Sequence, residues 1–514
     1  MPNARSPREP APIAPTSGSY RESATQSRRL FLASRPRVPD RHPLVIPLAV
    51  AYAATLIAWC ALRHRHFGSS AFELGAYHSV LWNVAFRGTP WNSLERAHQW
   101  STHLELGLLP LVPLYRIFPT PAWLWIAEGL ACGAAALPID ALARRVTGDR
   151  VVGILAAAAM LFTPQLVLGQ VADFQPIALA ILPMAVIAWA IEADSSRGLL
   201  LGSLGAILLR EQLGAVVAVA AVLWVLRQGK HRVIPAVVLA VLAVTISAVE
   251  IFYIIPSFGS DESMRYAAQY GNLAGGHGGS HRLQMVLGAF SGDRRTYLLG
   301  LVSGAFPLVV LSLRSLRRSA WPLLLAVPPL AVQVLSADIR KWDLNYPYGV
   351  PVVAALAAAS VLALRFLPGP PADVLERPEL DGRRIAVAAW LGLVVIHLAT
   401  ILPTPAGPGR ALDPGFSHSL RAAALKQAIA LVPADASISA QDDVVPHVAE
   451  RSEIHRWPDG IDTDEYVLLD TEGEAPNARN RSHLFSAGRQ LRGDPGFKVL
   501  VDEAGVILAK RIVR

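Results

Sequence analysis

The chain has 514 residues, of which 53% are hydrophobic and 17% are charged, and its mean hydropathy is +0.37. Soluble proteins contain about 25% charged residues, so this composition excludes an ordinary soluble protein and indicates a membrane protein. The formal net charge is +8, but the cations lie in short clusters between apolar segments, so no nucleic-acid-binding surface is expected. Cys60 and Cys132 both lie in apolar segments, which argues against a disulfide framework and a structural zinc site.

The two ends of the chain differ from its middle in composition. Residues 1–43 are rich in Pro, Ser and Arg without apolar periodicity, which predicts a disordered cytoplasmic tail. This tail is too long and polar to begin a cleaved signal, so the next apolar segment is expected to remain as an anchor. Residues 403–514 mix charged, apolar and alternating segments and predict a small soluble α/β domain. The membrane domain is therefore expected over residues 44–402.

Apolar runs of about 17–25 residues, long enough to cross a bilayer, define the membrane domain. They lie near residues 44–62, 123–142, 151–168, 176–192, 233–255, 296–313, 347–366 and 385–402, with a shorter run at 321–336. A further apolar stretch, 198–226, is interrupted by Arg210 and Glu211. This stretch forms either one long helix or two short ones.

Charge favours two short helices, 198–209 and 213–226. With two helices, every basic cluster falls on the side of the Arg-rich tail, as the positive-inside rule expects: 144–145, 227–232, 314–318 and 383–384. The sequence then predicts an all-α polytopic protein of a bacterial plasma membrane with about eleven transmembrane helices. Its N-terminus is expected in the cytoplasm and its C-terminal domain outside, with long outer loops at 63–122 and 256–295.

The first outer loop contains two elements that are not expected to cross the membrane. Residues 71–87 place apolar side chains at helical spacing and predict an amphipathic helix that lies in the interface. Residues 103–118 are apolar but contain Pro110 and Pro113, which favours a second interfacial or re-entrant element.

This order of elements resembles a known group of proteins. The features are Phe72-Glu73-Leu74-Gly75 at the start of an interfacial helix, His103 before a Pro-containing apolar helix, and Asp173 after the third span. They resemble the GT-C superfamily of membrane glycosyltransferases, and most of all the DUF2079 family of predicted membrane proteins. A block that includes Pro446-His447 and Arg451 is similar to the C-terminal pattern of that family.

The resemblance implies transfer of a sugar from a polyprenyl-phosphate donor to a glycan, lipid or protein acceptor on the outer side of the membrane. Glu73 is the candidate general base, since a carboxylate in a cleft beside the membrane can take the acceptor proton. A purely structural interpretation is that Glu73 caps the helix it begins. Asp173 is a candidate to orient the acceptor or to bind a divalent cation, and equally an N-cap for the helix that starts at Phe174.

Basic residues are the candidates to contact the donor. Arg210 is the best of them, because guanidinium matches phosphate geometry, although an ion pair with Glu211 also explains it. His103 is a candidate to position a phosphate or substrate, with a solvated interfacial histidine as the alternative. Arg340 and Lys341 are weaker phosphate candidates in a loop whose aromatic residues also fit a membrane belt.

Three further expectations complete the sequence analysis. The second outer loop contains His277 and His281 without a Cys or carboxylate at matching spacing, so no metal site is predicted there. A transporter or flippase of a lipid-linked substrate is the main alternative function, favoured by the interruption at Arg210 and Glu211. A non-catalytic lipid-binding relative is the third, because Glu73 stands alone where GT-C enzymes often carry a pair of acids.

Overall fold

The computed structural model describes most of the chain beyond the N-terminal tail. The described residues are 44–259, 288, 292, 295, 298–300, 306–336, 338, 341, 346–368, 381–401, 416–472 and 478–512. The expected tail at 1–43 and most of the expected second outer loop, with His277 and His281, lie outside them. The described residues form a helical membrane domain followed by a small domain built on a β-sheet.

Within the described ranges, seven helices are long and apolar enough to cross a membrane. They are Val45–Arg65, Ala122–Thr147, Pro176–Ala193, Glu211–Gln228, Lys230–Ser257, Pro347–Phe366 and Gly382–Ala399. The helices Arg150–Leu161 and Pro164–Gln170 are apolar enough to cross only as a pair, and their directions differ by 48°, as in a broken span or a re-entrant loop. Thr163 is extended before Pro164, and this local geometry accounts for the break in the helix.

Two shorter apolar helices occupy other segments for which spans were expected. Ser196–Leu209 and Leu323–Val334 have 14 and 12 residues, which is less than a full crossing requires. Of the predicted span at 296–313, the structure describes mainly its last part, the helix Leu308–Ser312. These helices confirm an all-α polytopic membrane domain.

The interrupted stretch 198–226 is a helical hairpin. Arg210 is extended between the helices Ser196–Leu209 and Gly214–Gln228, and the turn Glu211–Leu213 follows it. At the other end, Arg232 Nη2 lies 2.8 Å from Asp194 Oδ2. Because Asp194 precedes the first helix and Arg232 follows the second, the chain goes out and returns, as the charge pattern predicted.

Basic residues from several connections meet near the ends of this hairpin. Glu192 accepts a hydrogen bond of 2.7 Å from Arg227 and another from Arg365. The same two arginines donate to the backbone carbonyls of Arg317 and Arg318. Three of the connections that carry basic residues therefore lie together at one end of the helical domain, which is the arrangement expected of a cytoplasmic face.

The connection between the first two spans contains short helices in both of the segments where interfacial elements were expected. The first starts as a π-helical turn, Ala71–Gly75, and continues as the α-helix Ala76–Arg87. We call these residues, 71–87, the first-loop helix. A hairpin of β1 (Trp91–Asn92) and β2 (Ala97–His98) follows. The second element is divided into a 3₁₀ turn, Leu106–Leu108, and the helix Leu111–Ile117, with Pro110 immediately before the helix.

The C-terminal residues form the expected small α/β domain. Its five strands are β3 (Ile438–Ala440), β4 (Ile454–Arg456), β5 (Tyr466–Asp470), β6 (Phe497–Glu503) and β7 (Val506–Arg511). They form one sheet in the order β4-β3-β5-β7-β6. β3 runs parallel to β4 and β5, whereas β7 runs antiparallel to its neighbours. The helices Leu420–Leu431 and Ala478–Gly493 contribute Leu425 and Leu491 to the apolar clusters that cover the sheet.

This domain packs directly on the first-loop helix. Ala71 and Ala76 belong to the same apolar cluster as Val445 of the C-terminal domain. A side chain at Gly75 would place its Cβ 2.9 Å from Val445 Cγ1, so the close approach requires glycine. His78 Nδ1 donates to the backbone carbonyl of Pro446 at 3.1 Å. The contact fixes the start of the first-loop helix against the C-terminal domain.

Candidate functional site

A cavity of about 390 Å³ lies where the connection between the first two spans meets the tip of the helical hairpin. Four of the six site residues predicted from the sequence line it: Glu73, His103, Arg210 and Lys341. Residues 102–103 and 210–213 come from connections more than 100 positions apart, and the fold brings them together here. Asp173 is not among the lining residues, and Arg340 lies outside the described residues.

Glu73 enters this cavity from a π-helical turn. In the turn Ala71–Gly75, Ala71 and Leu74 are buried while Glu73 is half-buried. Gly75 N donates to Ser70 O at 3.1 Å, which is the wide hydrogen bond that defines the turn. Such turns are rare and often lie at functional sites. The contact of Gly75 with the C-terminal domain therefore also fixes the position of Glu73.

Glu105, which the sequence analysis did not select, is the centre of a polar network beside the cavity. Its Oε1 accepts from Tyr77 Oη at 3.1 Å and lies 3.0 Å from Arg210 Nη2. Its Oε2 accepts from Gln99 Nε2 at 3.2 Å. Three donors thus satisfy one carboxylate that is only 5% exposed. Burial raises the pKa of Glu105, while Arg210 acts in the opposite direction.

The backbone at Glu105 is strained. Its φ is +38°, in the left-handed region that disfavours residues with a side chain. Such a conformation costs about 1–3 kcal/mol and persists only where its surroundings hold it. The hydrogen bonds to Tyr77, Gln99 and Arg210 supply that constraint. The strained backbone at Glu105 thus places its carboxylate where it contacts all three of these side chains.

Arg210 pairs with Glu105 rather than with its neighbour Glu211, which corrects the ion pair considered from the sequence. Glu211 Oε1 instead lies 2.9 Å from His103 Nδ1. Arg210 is buried, and its Nε has no hydrogen-bond partner within the described part of the chain. The two pairs hold both His103 and Arg210 at the wall of the cavity, where each can still face a ligand.

Asp173 has a structural position next to this site. Its Oδ2 accepts from Ser70 N at 2.7 Å and its Oδ1 accepts from Phe174 N at 3.0 Å. The first bond anchors the residue before the π-helical turn of Glu73 to the connection after the third span. The following 3₁₀ helix, Pro176–Ala180, has Gln175 as its N-cap residue, so Asp173 is not that cap. Burial raises the pKa of Asp173, and Arg63 and the two N–H donors oppose this rise.

The described residues do not include a cluster of ligands suited to a metal. No group of three or more His, Cys, Asp or Glu side chains there is arranged to hold an ion. Among its described lining residues, the cavity has the cationic groups of Arg210 and Lys341. They lie beside the carboxylates of Glu73, Glu95 and Asp338, so the wall of the cavity carries charges of both signs.

The first arm of the hairpin is short. The helix Ser196–Leu209 has 14 residues, which corresponds to about 21 Å. It runs from the ion pair of Asp194 with Arg232 to Arg210, whereas the hydrocarbon core of a bilayer is about 30 Å thick. This arm is therefore shorter than a full membrane crossing.

Fold and site together define a class: a polytopic helical membrane protein with the architecture of ArnT and a small C-terminal α/β domain. Two crystal structures of ArnT from Cupriavidus metallidurans, one bound to undecaprenyl phosphate and one in the apo state, superpose with TM-scores of 0.52 and 0.51. The identities are 15% and 14%, and each alignment covers 91% of this chain and 98% of the ArnT chain. The likeness extends over nearly the whole molecule and shows a shared fold.

The sequence itself places the chain in a family. The family model for the predicted membrane proteins named DUF2079 matches residues 63–508. The protein belongs to this family, which confirms the resemblance drawn from the sequence. Among curated proteins, none gives a significant match.

Proposed function

We propose that the protein is a membrane glycosyltransferase that moves a sugar from a polyprenyl-phosphate donor to an acceptor outside the plasma membrane. The observation that carries the proposal is that Glu73, Arg210 and Lys341 line the same cavity. The fold adds support, because ArnT of the same architecture is known bound to undecaprenyl phosphate.

In the proposed reaction Glu73 acts as the general base. Its carboxylate takes the proton from the acceptor hydroxyl, and the hydroxyl oxygen attacks the anomeric carbon of the donor sugar. The bond from that carbon to the phosphate oxygen breaks, and its electron pair leaves with the phosphate. The products are the glycosylated acceptor and the polyprenyl phosphate.

Arg210 and Lys341 are proposed to bind the leaving phosphate. Arg210 uses one Nη to bind Glu105, which leaves its remaining N–H groups for phosphate oxygens. His103, held by Glu211, is proposed to position the phosphate from the side of the first loop. Asp173 is proposed to act indirectly, because its bond to Ser70 N fixes the turn that carries Glu73.

The membrane orientation is part of the proposal. The end of the helical domain where Arg227, Arg365 and the carbonyls of Arg317 and Arg318 meet is assigned to the cytoplasm. The cavity lies toward the other end, as an extracytoplasmic transferase requires. Accessibility of an introduced cysteine at exposed Glu453 to a membrane-impermeant thiol reagent in intact cells tests this assignment.

The alternative of a lipid-linked substrate transporter makes a different prediction. Purified protein is incubated with a panel of radiolabelled polyprenyl-phosphate sugars and a cell-envelope acceptor fraction. A transferase consumes one donor and labels the acceptor without a membrane potential or a sealed vesicle. A transporter labels no acceptor in detergent but moves the lipid between leaflets when it is reconstituted in vesicles.

A further inference from the structure

A second cavity, of about 590 Å³, lies between the C-terminal end of the first span and the C-terminal domain. Its described lining comes from the last turn of Val45–Arg65 and the two residues that follow, from the helix Leu420–Leu431, and from His447. None of these residues lines the cavity of Glu73. The two cavities are therefore separate sites.

The lining of this cavity combines cations with aliphatic side chains. Arg65 and Lys426 are both exposed at its edge. Leu62, Ile429 and Ala430 supply apolar surface beside them. The described lining contains no carboxylate. A ligand suited to this surface is an anion that is attached to an apolar group.

Two stacked imidazoles form another part of the wall. The rings of His64 and His447 lie 3.9 Å apart at an angle of 12°, and Phe67 packs 4.0 Å from His447. His64 Nδ1 and His447 Nε2 have no hydrogen-bond partner among the described residues. Buried polar atoms normally have one, so these two nitrogens point to a ligand or water that completes the site. Burial, with a smaller effect from His78, lowers the pKa of His447 to about 3, so this ring is neutral.

The position of the cavity identifies the environment of its ligand. It lies at the end of a span, and Leu62 of that span is 37% exposed. A side chain this close to the end of a span is expected at the boundary between acyl chains and head groups. The cations Arg65 and Lys426 are then at the level of lipid phosphates, and Leu62 is at the level of the adjoining acyl chain.

We propose that this cavity binds the phosphate head group of an anionic membrane lipid. Arg65 and Lys426 contact the phosphate, and Leu62 and Ile429 contact the apolar part of the lipid next to it. Because the lining comes from both the first span and the C-terminal domain, the lipid also connects these two parts. This inference goes beyond the proposed transferase function and does not depend on it.

The test measures equilibrium binding of radiolabelled dihexanoyl phosphatidylglycerol to the full chain purified in detergent. Each Lys or Arg near a lipid surface contributes about fivefold in affinity, so Arg65→Gln and Lys426→Gln are each expected to weaken binding by about that factor. The double variant is expected to weaken it about 25-fold. Lys498→Gln is the matched control, since Lys498 is exposed on the same domain and does not line the cavity. Because Arg65, Lys426 and Lys498 are exposed, these variants are expected to fold as the wild type does.

Two competitors and one variant separate the possible results. Dihexanoyl phosphatidylcholine and inorganic phosphate are expected to compete weakly, and Glu73→Gln is expected to bind phosphatidylglycerol as the wild type does. Unchanged binding in the double variant overturns the proposal. Equal affinities for phosphatidylcholine and phosphatidylglycerol would contradict the proposal that the site recognises the net negative charge of the lipid. Inorganic phosphate that binds as tightly, with the same sensitivity to the variants, identifies a free-anion site instead of a lipid site.

Discussion

Glu105 and Arg210 form a buried ion pair, with 3.0 Å between Oε1 and Nη2, where the connection between the first two spans meets the tip of the helical hairpin. Glu105 is 5% exposed and Arg210 is 4% exposed. The pair joins two parts of the chain that are 105 positions apart and places the guanidinium at the cavity of Glu73. The proposed phosphate contact thus depends on a carboxylate that does not itself line the cavity.

Replacing Glu105 by Gln is expected to weaken both stability and transfer. Loss of one member of a buried pair costs about 3–5 kcal/mol when the partner is left uncompensated, and the amide of Gln retains part of the hydrogen bonding. A smaller loss, about 1–3 kcal/mol, is therefore expected in the free energy of unfolding. Misplacement of Arg210 should raise KM for the donor about tenfold or more. Thermal unfolding and donor titrations measure the two effects; a KM equal to that of the wild type would contradict the positioning role.

The contact between Gly75 and the C-terminal domain is expected to be intolerant of a methyl group. Gly75→Ala brings Cβ to 2.9 Å from Val445 Cγ1, and overpacking of this kind costs about 1–3 kcal/mol. Gly392→Ala is the control, because no heavy atom of the described residues outside its own helical backbone and chain neighbours lies within 4 Å of its Cβ position. We expect a lower unfolding temperature only for Gly75→Ala, together with reduced transfer. Equal unfolding temperatures would show that the interface can relax freely.

His447 is expected to make the folded protein sensitive to acid. Its pKa of about 3 lies well below the ordinary histidine value of about 6.5, because burial disfavours its charged form. At a pH between these two pKa values, His447 therefore binds a proton in the unfolded chain but not in the folded chain. The contribution of His447 to the free energy of unfolding therefore falls as the pH decreases below about 6.5. At pH 5 it is lower by about 2 kcal/mol.

Thermal unfolding between pH 7 and pH 5 measures this effect in His447→Gln and in the control His483→Gln, whose side chain is exposed. The His447 variant is expected to lose less stability on acidification than the wild type. The His483 variant is expected to follow the wild type. Parallel pH curves for all three proteins would contradict the assignment.

Chelation is expected to leave the proposed transfer largely intact. Arg210 and Lys341 line the cavity and can neutralise the leaving phosphate, so a divalent cation is not needed for that purpose. Dialysis against EDTA followed by a rate measurement tests this, with Lys341→Gln as the comparison that should lower the rate. Complete loss of activity on dialysis, restored by Mg²⁺ or Mn²⁺, would assign the phosphate to a metal instead.

Much of the membrane domain could be predicted from local features of the sequence. Apolar runs locate the spans because hydrocarbon requires them. The distribution of Arg and Lys identifies the hairpin around Arg210, because orientation depends on those charges. The resemblance to DUF2079 and GT-C proteins pointed to Glu73 and His103, and the affinity of basic side chains for phosphate selected Arg210 and Lys341. These four residues share one cavity.

The rest depends on contacts between distant parts of the chain. Asp173 looks like an N-cap in sequence, but its partner Ser70 N is 103 positions away. The role of Glu105 depends on its ion pair with Arg210. From the sequence, the neighbouring Glu211 was the expected partner of Arg210, but Glu211 pairs with His103. His78 and Pro446 are 368 positions apart and still share a hydrogen bond. No periodicity or spacing encodes such pairs, so sequence analysis could not identify them.

The measurement that tests the central claim most directly is single-turnover sugar transfer by Glu73→Gln, with Glu453→Gln as the matched control. Glu453 is an exposed carboxylate of the C-terminal domain and does not line the cavity. Loss of a general base is expected to slow transfer about 10²–10⁴-fold, with donor affinity retained and the control unchanged. Transfer by Glu73→Gln at the wild-type rate would contradict the account, because the cavity would then act without the carboxylate on which the proposed mechanism depends.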